Sequence, residues 1–162
     1  MSDLENLYQQ VILDHAREKR GYGVDPSAVA VSHQLNPTCG DEITLAVTVD
    51  DDGSITGVTW EGQGCSISTA SASLLSDLVA SSPHSDKVPF AHSRAELHNK
   101  IAAFRELVHS KGALSGDEEL LGDAIALGGV SRYVTRVKCA MLPWVALEDA
   151  LIQCESLARG TN

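Results

Sequence analysis

From Leu4 to Ile12 apolar side chains recur at helical spacing, as Leu4, Leu7, Tyr8, Val11 and Ile12, and Ser2 with Glu5 has the spacing of a capping box. This predicts a first helix from about Asp3 to Arg20, closed by Gly21 and Gly23. The period then changes from helical to alternating. Val29, Val31, His33 and Leu35 alternate with small or polar residues, and Ile43, Leu45, Val47 and Val49 do the same with Thr44 and Thr48 between them. Asp50-Asp51-Asp52-Gly53 reads as a hairpin turn, and Ile55, Val58 and Trp60 continue beyond it with a break at Gly57 that predicts a bulge. One-sided alternation of this kind describes an antiparallel sheet that needs a covering layer on one face.

Helical patterns return after Cys65. Ile67, Ala70, Leu74, Leu75, Leu78 and Val79 form a stripe, Ser81 to His92 with two prolines reads as a loop, and Ser93 with Glu96 opens a helix carrying Leu97, Ile101, Phe104 and Val108. A short helical stretch near Glu118–Leu127 is expected to end at Gly128-Gly129. The last helix carries Leu147, Leu151, Cys154 and Ala158, and Pro143 is expected in its first turn, so the helix should begin close to Cys139. The order predicts an α+β fold: a small three-stranded antiparallel sheet with helices packed on it.

The chain has 162 residues, enough for one domain with a sizeable core, and 43% are apolar. Its formal charge of −10 argues against nucleic acid as a partner. No apolar run approaches a membrane span, and the acidic start lacks the pattern of a signal peptide, so a cytoplasmic protein without a membrane role is expected. In that setting four cysteines point to metal binding or thiol chemistry rather than disulfides.

Cys39 lies in Asn36-Pro37-Thr38-Cys39-Gly40-Asp41, Cys65 follows Gly62-Gln63-Gly64, and Cys139 follows Arg136-Val137-Lys138. Spacings of 26 and 74 residues exclude a zinc finger or ribbon. If strand ends and helix starts share one sheet edge, the three thiols converge with Asp41, a donor set suited to zinc. Helix starts at Cys65 and Cys139, with Arg136 and Lys138 nearby, would favour thiolate over a thiol of ordinary pKa about 8.5. Composition alone leaves open that each cysteine is a small buried hydrophobe. Cys154 continues a helical stripe and reads as a core thiol. None of the six histidines has a fixed spacing to the cysteines, and the aspartate run lacks the later ligands of a calcium loop.

Asn36–Asp41, Gly62–Ser68 and Arg136–Trp144 together resemble the IscU/NifU-type iron–sulfur assembly family, and within it the SufU branch. The resemblance covers nearly the whole chain, residues 1–162 as one domain, and implies one metal site made by Cys39, Asp41, Cys65 and Cys139. Scaffold members usually have His before the third cysteine, where this chain has Lys138, and a Leu-Pro-Pro-Val-Lys segment that Ser131–Lys138 lacks. The long Cys65–Cys139 interval leaves room for a helical insertion, a SufU mark, at roughly 83–116. The resemblance implies a zinc-dependent sulfur acceptor for a SufS-type cysteine desulfurase. Cys39 would take the persulfide sulfur once a desulfurase histidine replaces it on Zn2+; the alternative is a scaffold holding a transient iron–sulfur cluster on the same ligands. Arg136 is a further candidate, as a partner of Asp41 or of a bound persulfide.

Overall fold

The computed structural model describes residues 3–38, 40–80 and 91–160; Cys39, residues 81–90 and both extreme termini lie outside the described residues. The elements are α1 (Asp3–Glu18), β1 (Ala30–Asn36), β2 (Asp41–Val49), β3 (Ile55–Gln63), α2 (Ser66–Ala80), α3 (Arg94–Val108), α4 (Glu118–Leu121), a 3-10 helix (Gly122–Arg132) and α5 (Val134–Gly160). The strands form an antiparallel sheet in the order β1-β2-β3. The α+β architecture is as the pattern predicts, and no helix among the described residues is long and apolar enough to cross a membrane.

The hairpin turn forms through Asp50, whose Oδ1 accepts the backbone N–H groups of Asp52 and Ser54. The bulge expected at Gly57 appears as a register shift: Thr48 faces Gly57 but Val49 faces Ile55, so Thr56 is the extra residue. The N-cap of α3 also forms, with Ser93 Oγ accepting the Glu96 N–H at 3.1 Å. Ser2 of the other capping box lies outside the described residues.

One face of the sheet carries Ile43, Leu45, Val47, Val58 and Trp60 into the core, where α2 and α5 cover them with Leu74, Leu75, Trp144 and Leu147, and α3 packs on α5 from behind with Phe104. Phe104 and Trp144 stack at 4.0 Å between centroids and 10° between planes. The serines of α2 lie buried inside this layer and tie it together. Ser76 Oγ donates to the Val58 carbonyl and Ser71 Oγ to the Ala140 carbonyl, while Ser73 Oγ accepts the Arg20 N–H and meets His15 Nδ1 at 2.8 Å. Each hydroxyl thereby offsets its own desolvation and links α2 to a different part of the chain. Gly21 permits the close approach of this serine face: its φ is +77°, and a Cβ there would fall on Ser76 Oγ.

Four expectations are corrected. The large apolar residues at and before the start of β1 and along it do not face the core: Val29, Val31 and Leu35 are exposed, while Ala30, Ser32 and Asn36 are buried. α5 lies against the inner face of β1, where small or hydrogen-bonded side chains fit; Ser32 Oγ donates to Asp149 Oδ2. The helix after Glu118 does not stop at Gly128-Gly129. It tightens into a 3-10 helix that runs through both glycines to Arg132, and it buries Ala124, Leu127 and Val130. The last helix begins at Val134 rather than near Cys139, so Pro143 lies inside it. α1 ends at Glu18, and the first left-handed residue is Lys19 (φ 48°), ahead of the expected Gly21.

Tertiary packing explains the tolerated proline. Pro143 has no N–H for the carbonyl four residues back, that of Cys139. Immediately beside this gap, Ser71 Oγ donates to the Ala140 carbonyl at 2.6 Å and accepts the Trp144 Nε1–H at 3.0 Å. The interior of α5 is thus fastened to α2 at the point where its own ladder is interrupted. The insertion expected at roughly 83–116 falls partly on residues 81–90, outside the described residues; its described part includes α3, which places Leu97, Ile101, Phe104 and Leu107 in the core.

Candidate metal centre

The sheet register builds the site. Asn36 ends β1 opposite Asp41, which opens β2, and the end of β3 returns alongside, with Glu42 facing Gln63. Gly64 and Cys65 then lead directly into α2, so Cys65 arrives beside Asp41. Asp41 is 1% exposed, and its Oδ1 accepts the Cys65 backbone N–H at 2.9 Å. The carboxylate therefore holds the start of α2, where helix N–H groups lack partners within the helix. Its other oxygen, Oδ2, lies 3.9 Å from Cys65 Sγ. Ser68 Oγ donates to the Cys65 carbonyl at 3.1 Å and lies 3.8 Å from the sulfur.

Cys139 comes from the other side of the core. It is buried in the second turn of α5, and its thiol lies 3.6 Å from the Thr135 carbonyl, which it meets as a donor. The expected helix start at Cys139 is not observed, so the argument from a helix N-terminus applies to Cys65 and not to Cys139. Asp41, Cys65 and Cys139 each place a ligand atom within 4.8 Å of the other two. Tetrahedral zinc ligands at about 2.0–2.3 Å from the ion stand roughly 3.3–3.8 Å apart, so a small contraction would bring these three onto one ion. Two sulfurs and one carboxylate oxygen suit zinc or iron. Cys39 lies outside the described residues.

Gly64 is part of the construction. A Cβ there would come within 2.5 Å of both Asp41 Oδ1 and Ser68 Oγ. Gly64→Ala should push the carboxylate off the Cys65 N–H and lower the affinity for zinc, measured by chelator competition, by about tenfold or more, the scale expected when a ligand loses its support.

The remaining candidates have other occupations. Arg136 is exposed and forms no ion pair with Asp41 among the described residues. His15 is buried against Ser73, and burial, then the charge of Arg20, holds its pKa below the ordinary value. His33 contacts Glu42 at 2.6 Å, His98 contacts Glu155 at 3.2 Å, and His109 meets the Arg105 carbonyl at 2.7 Å. His92 bridges to Ile55 through both backbone groups; His84 lies outside the described residues. Burial pushes the Cys154 thiol pKa up, as befits a core sulfur. The glycine beside Cys65 is a sequence signal for a closely approached site, and the packing of Gly64 on Asp41 and Ser68 agrees with it, whereas sequence reasoning missed Ser68 and Ser71. The Ser/Ala-rich run Ser66–Ser73 was visible, but only the packing shows which hydroxyl reaches which segment.

The family model described as the NifU-like N terminal domain matches residues 7–140. The chain belongs to this family. It is 36% identical to "Zinc-dependent sulfurtransferase SufU" of Bacillus subtilis over 154 residues, covering 95% of each protein. It is also 36% identical to "Iron-sulfur cluster assembly scaffold protein IscU" of Streptococcus pyogenes, over 93% of this chain and 86% of that one. Among solved structures, a putative iron–sulfur cluster assembly scaffold protein for the SUF system from Fervidobacterium islandicum aligns with a TM-score of 0.74 and 30% identity, covering 91% of this chain and 98% of that one. As a NifU-type protein the chain is one of the iron–sulfur cluster assembly proteins, and the Asp41–Cys65–Cys139 cluster, with Cys65 half-buried between two buried partners, lies on the motifs by which its sequence resembles them.

Proposed function

We propose that this NifU-type protein is a zinc-dependent sulfur acceptor, which takes persulfide sulfur from a SufS-type cysteine desulfurase for iron–sulfur cluster assembly. The observation that carries the reading is the approach of Asp41, Cys65 and Cys139 to within 4.8 Å of one another. Cys39, two residues before Asp41 in the chain, is proposed as the fourth ligand and as the acceptor. When bound, zinc would keep the sulfur ligands deprotonated and ready for exchange. The Bacillus subtilis relative is named a zinc-dependent sulfurtransferase, and Lys138 stands where scaffold members usually have histidine.

The chain's own residues divide the work. Cys65 is held at the head of α2 through its N–H to Asp41, and Cys139 is held within α5 next to the Ser71–Ala140 bond. Displacing either one would disturb core packing. In the sequence Cys39 stands between Pro37 and Gly40, in the connection between β1 and β2. Its thiolate would attack the outer sulfur of the desulfurase persulfide. A new S–S bond forms at Cys39, the old one breaks, and the desulfurase cysteine leaves as thiolate.

The test is cysteine turnover by a SufS-type desulfurase in the presence of this protein. Wild type should stimulate turnover, and Cys39→Ala should abolish the stimulation while the melting temperature shows the fold intact. Peptide mapping should place the transferred sulfur on Cys39; sulfur found on Cys65, Cys139 or Cys154 would overturn the assignment. The second reading is a scaffold, supported by the name of the Streptococcus pyogenes relative. It would be favoured by a visible-absorbing cluster that forms on the protein and transfers to an apo-acceptor.

A further inference from the structure

Asn36 closes β1, and its polar groups secure the turn that follows. Its backbone carbonyl accepts the Gly40 N–H at 2.9 Å, and its side-chain Oδ1 accepts the Thr38 N–H at 3.3 Å. A backbone N–H can only donate, so this bond identifies which end of the amide is oxygen. The other end, Nδ2, is buried in a residue only 7% exposed and has no hydrogen-bond partner among the described residues. Leaving such a donor unpaired costs about 1–3 kcal/mol, and folded proteins rarely keep one without a use.

The register gives its position. Asn36 and Asp41 are direct cross-strand partners, and both are buried on the face that packs against the helices. Side chains so paired have Cβ atoms about 4.5–5.5 Å apart, which puts the unpaired amide next to the Asp41–Cys65–Cys139 cluster. Asp41 already accepts the Cys65 N–H through Oδ1 and turns Oδ2 towards the Cys65 sulfur. Sulfur anions at this cluster need donors as well, because a buried charge without hydrogen bonds is costly.

We propose that Asn36 is a positioning residue whose Nδ2–H group donates to a cysteine sulfur of this centre when metal is bound. The proposal rests on the metal-binding part of the reading above and not on sulfur transfer. Asn36→Asp separates the two ends of the amide, since it keeps an oxygen for the Thr38 N–H and removes the donor.

The probes are zinc affinity by chelator competition and the sulfur-to-metal charge-transfer band of the Co2+-loaded protein. A hydrogen bond lowers the energy of the sulfur lone pair, so its loss should move the band to lower energy. Asn36→Asp should weaken zinc binding by about 10–100-fold, the range typical of lost hydrogen bonds to metal ligands, and should shift the band. Equal or tighter zinc binding overturns the proposal. Weaker binding with an unmoved band also overturns it, because that result describes a turn residue or a partnering water. If Asn36→Asp does not fold, Asn36→Ser carries the same test: its oxygen can keep the turn but its side chain is too short to reach the site. Cobalt loading needs no desulfurase, so failure here and failure of sulfur transfer are read separately.

Discussion

Asp41→Ala is expected to strip zinc from the protein, from about one atom per chain to near none, and to abolish the fall in melting temperature that chelation causes in the wild type. The carboxylate has one observed task and one proposed one: it accepts the Cys65 N–H at 2.9 Å, and as the proposed ligand it lies within 4.8 Å of two sulfurs. The alanine variant loses both and leaves the half-buried Cys65 N–H without its acceptor, at about 1 kcal/mol. Asp41→Asn separates the tasks, because an amide oxygen can still accept the N–H but carries no charge for the metal. It should retain the melting temperature of the metal-free wild type and lose most of the zinc. The proposed ligands come from β2, the head of α2 and the interior of α5, so metal bound by them would couple to folding. Metal analysis and melting curves with and without chelator test this, and full zinc content in Asp41→Asn would remove Asp41 from the ligand set.

Trp144→Ala should be the most damaging change away from the ligands. Trp144 is fully buried, stacks on Phe104, and donates to the Ser71 hydroxyl that in turn donates to the Ala140 carbonyl. Truncating a buried aromatic of this size costs about 3–5 kcal/mol. At roughly 2–4 °C per kcal/mol for a chain of this length, the melting temperature should fall by about 6–20 °C. Because Ala140 follows Cys139 directly, zinc affinity should fall with it. Trp144→Phe keeps a ring against Phe104 but loses the N–H and part of the indole volume, so it should cost about 1–3 kcal/mol, less than the alanine variant. A drop of less than a few degrees in Trp144→Ala would show that α5 is held at Pro143 by something other than this network.

Local chemistry was legible in the sequence wherever it acts over a few residues. The Asp50 turn, the Ser93–Glu96 cap, the bulge beside Gly57 and the stripe of α2 all follow from short-range hydrogen bonding or side-chain period, and each is present. The motifs around Asp41, Cys65 and Cys139 were legible too, as a resemblance. Where the chain's preference could be outvoted, sequence misled. Val31 and Leu35 alternate as a core face should, yet they point outward, since α5 lies too close to β1 for large side chains on the inner face. Pro143 and Gly128-Gly129 are breakers by propensity, but Ser71 and Trp144 fasten α5 at the first, and burial of Leu127 and Val130 carries the 3-10 helix through the second.

The sequence by itself determined the element order, the caps and turns, and which residues have the chemistry to hold a metal. Only the tertiary structure decided that Asp41, Cys65 and Cys139 come within 4.8 Å of one another and that Asn36 Nδ2 is buried without a hydrogen-bond partner among the described residues. The physical reason is range. Caps and turns are fixed by neighbours two to four residues away, whereas the site depends on strand register and on how α5 crosses the sheet, which bring residues 24 and 74 positions apart into contact.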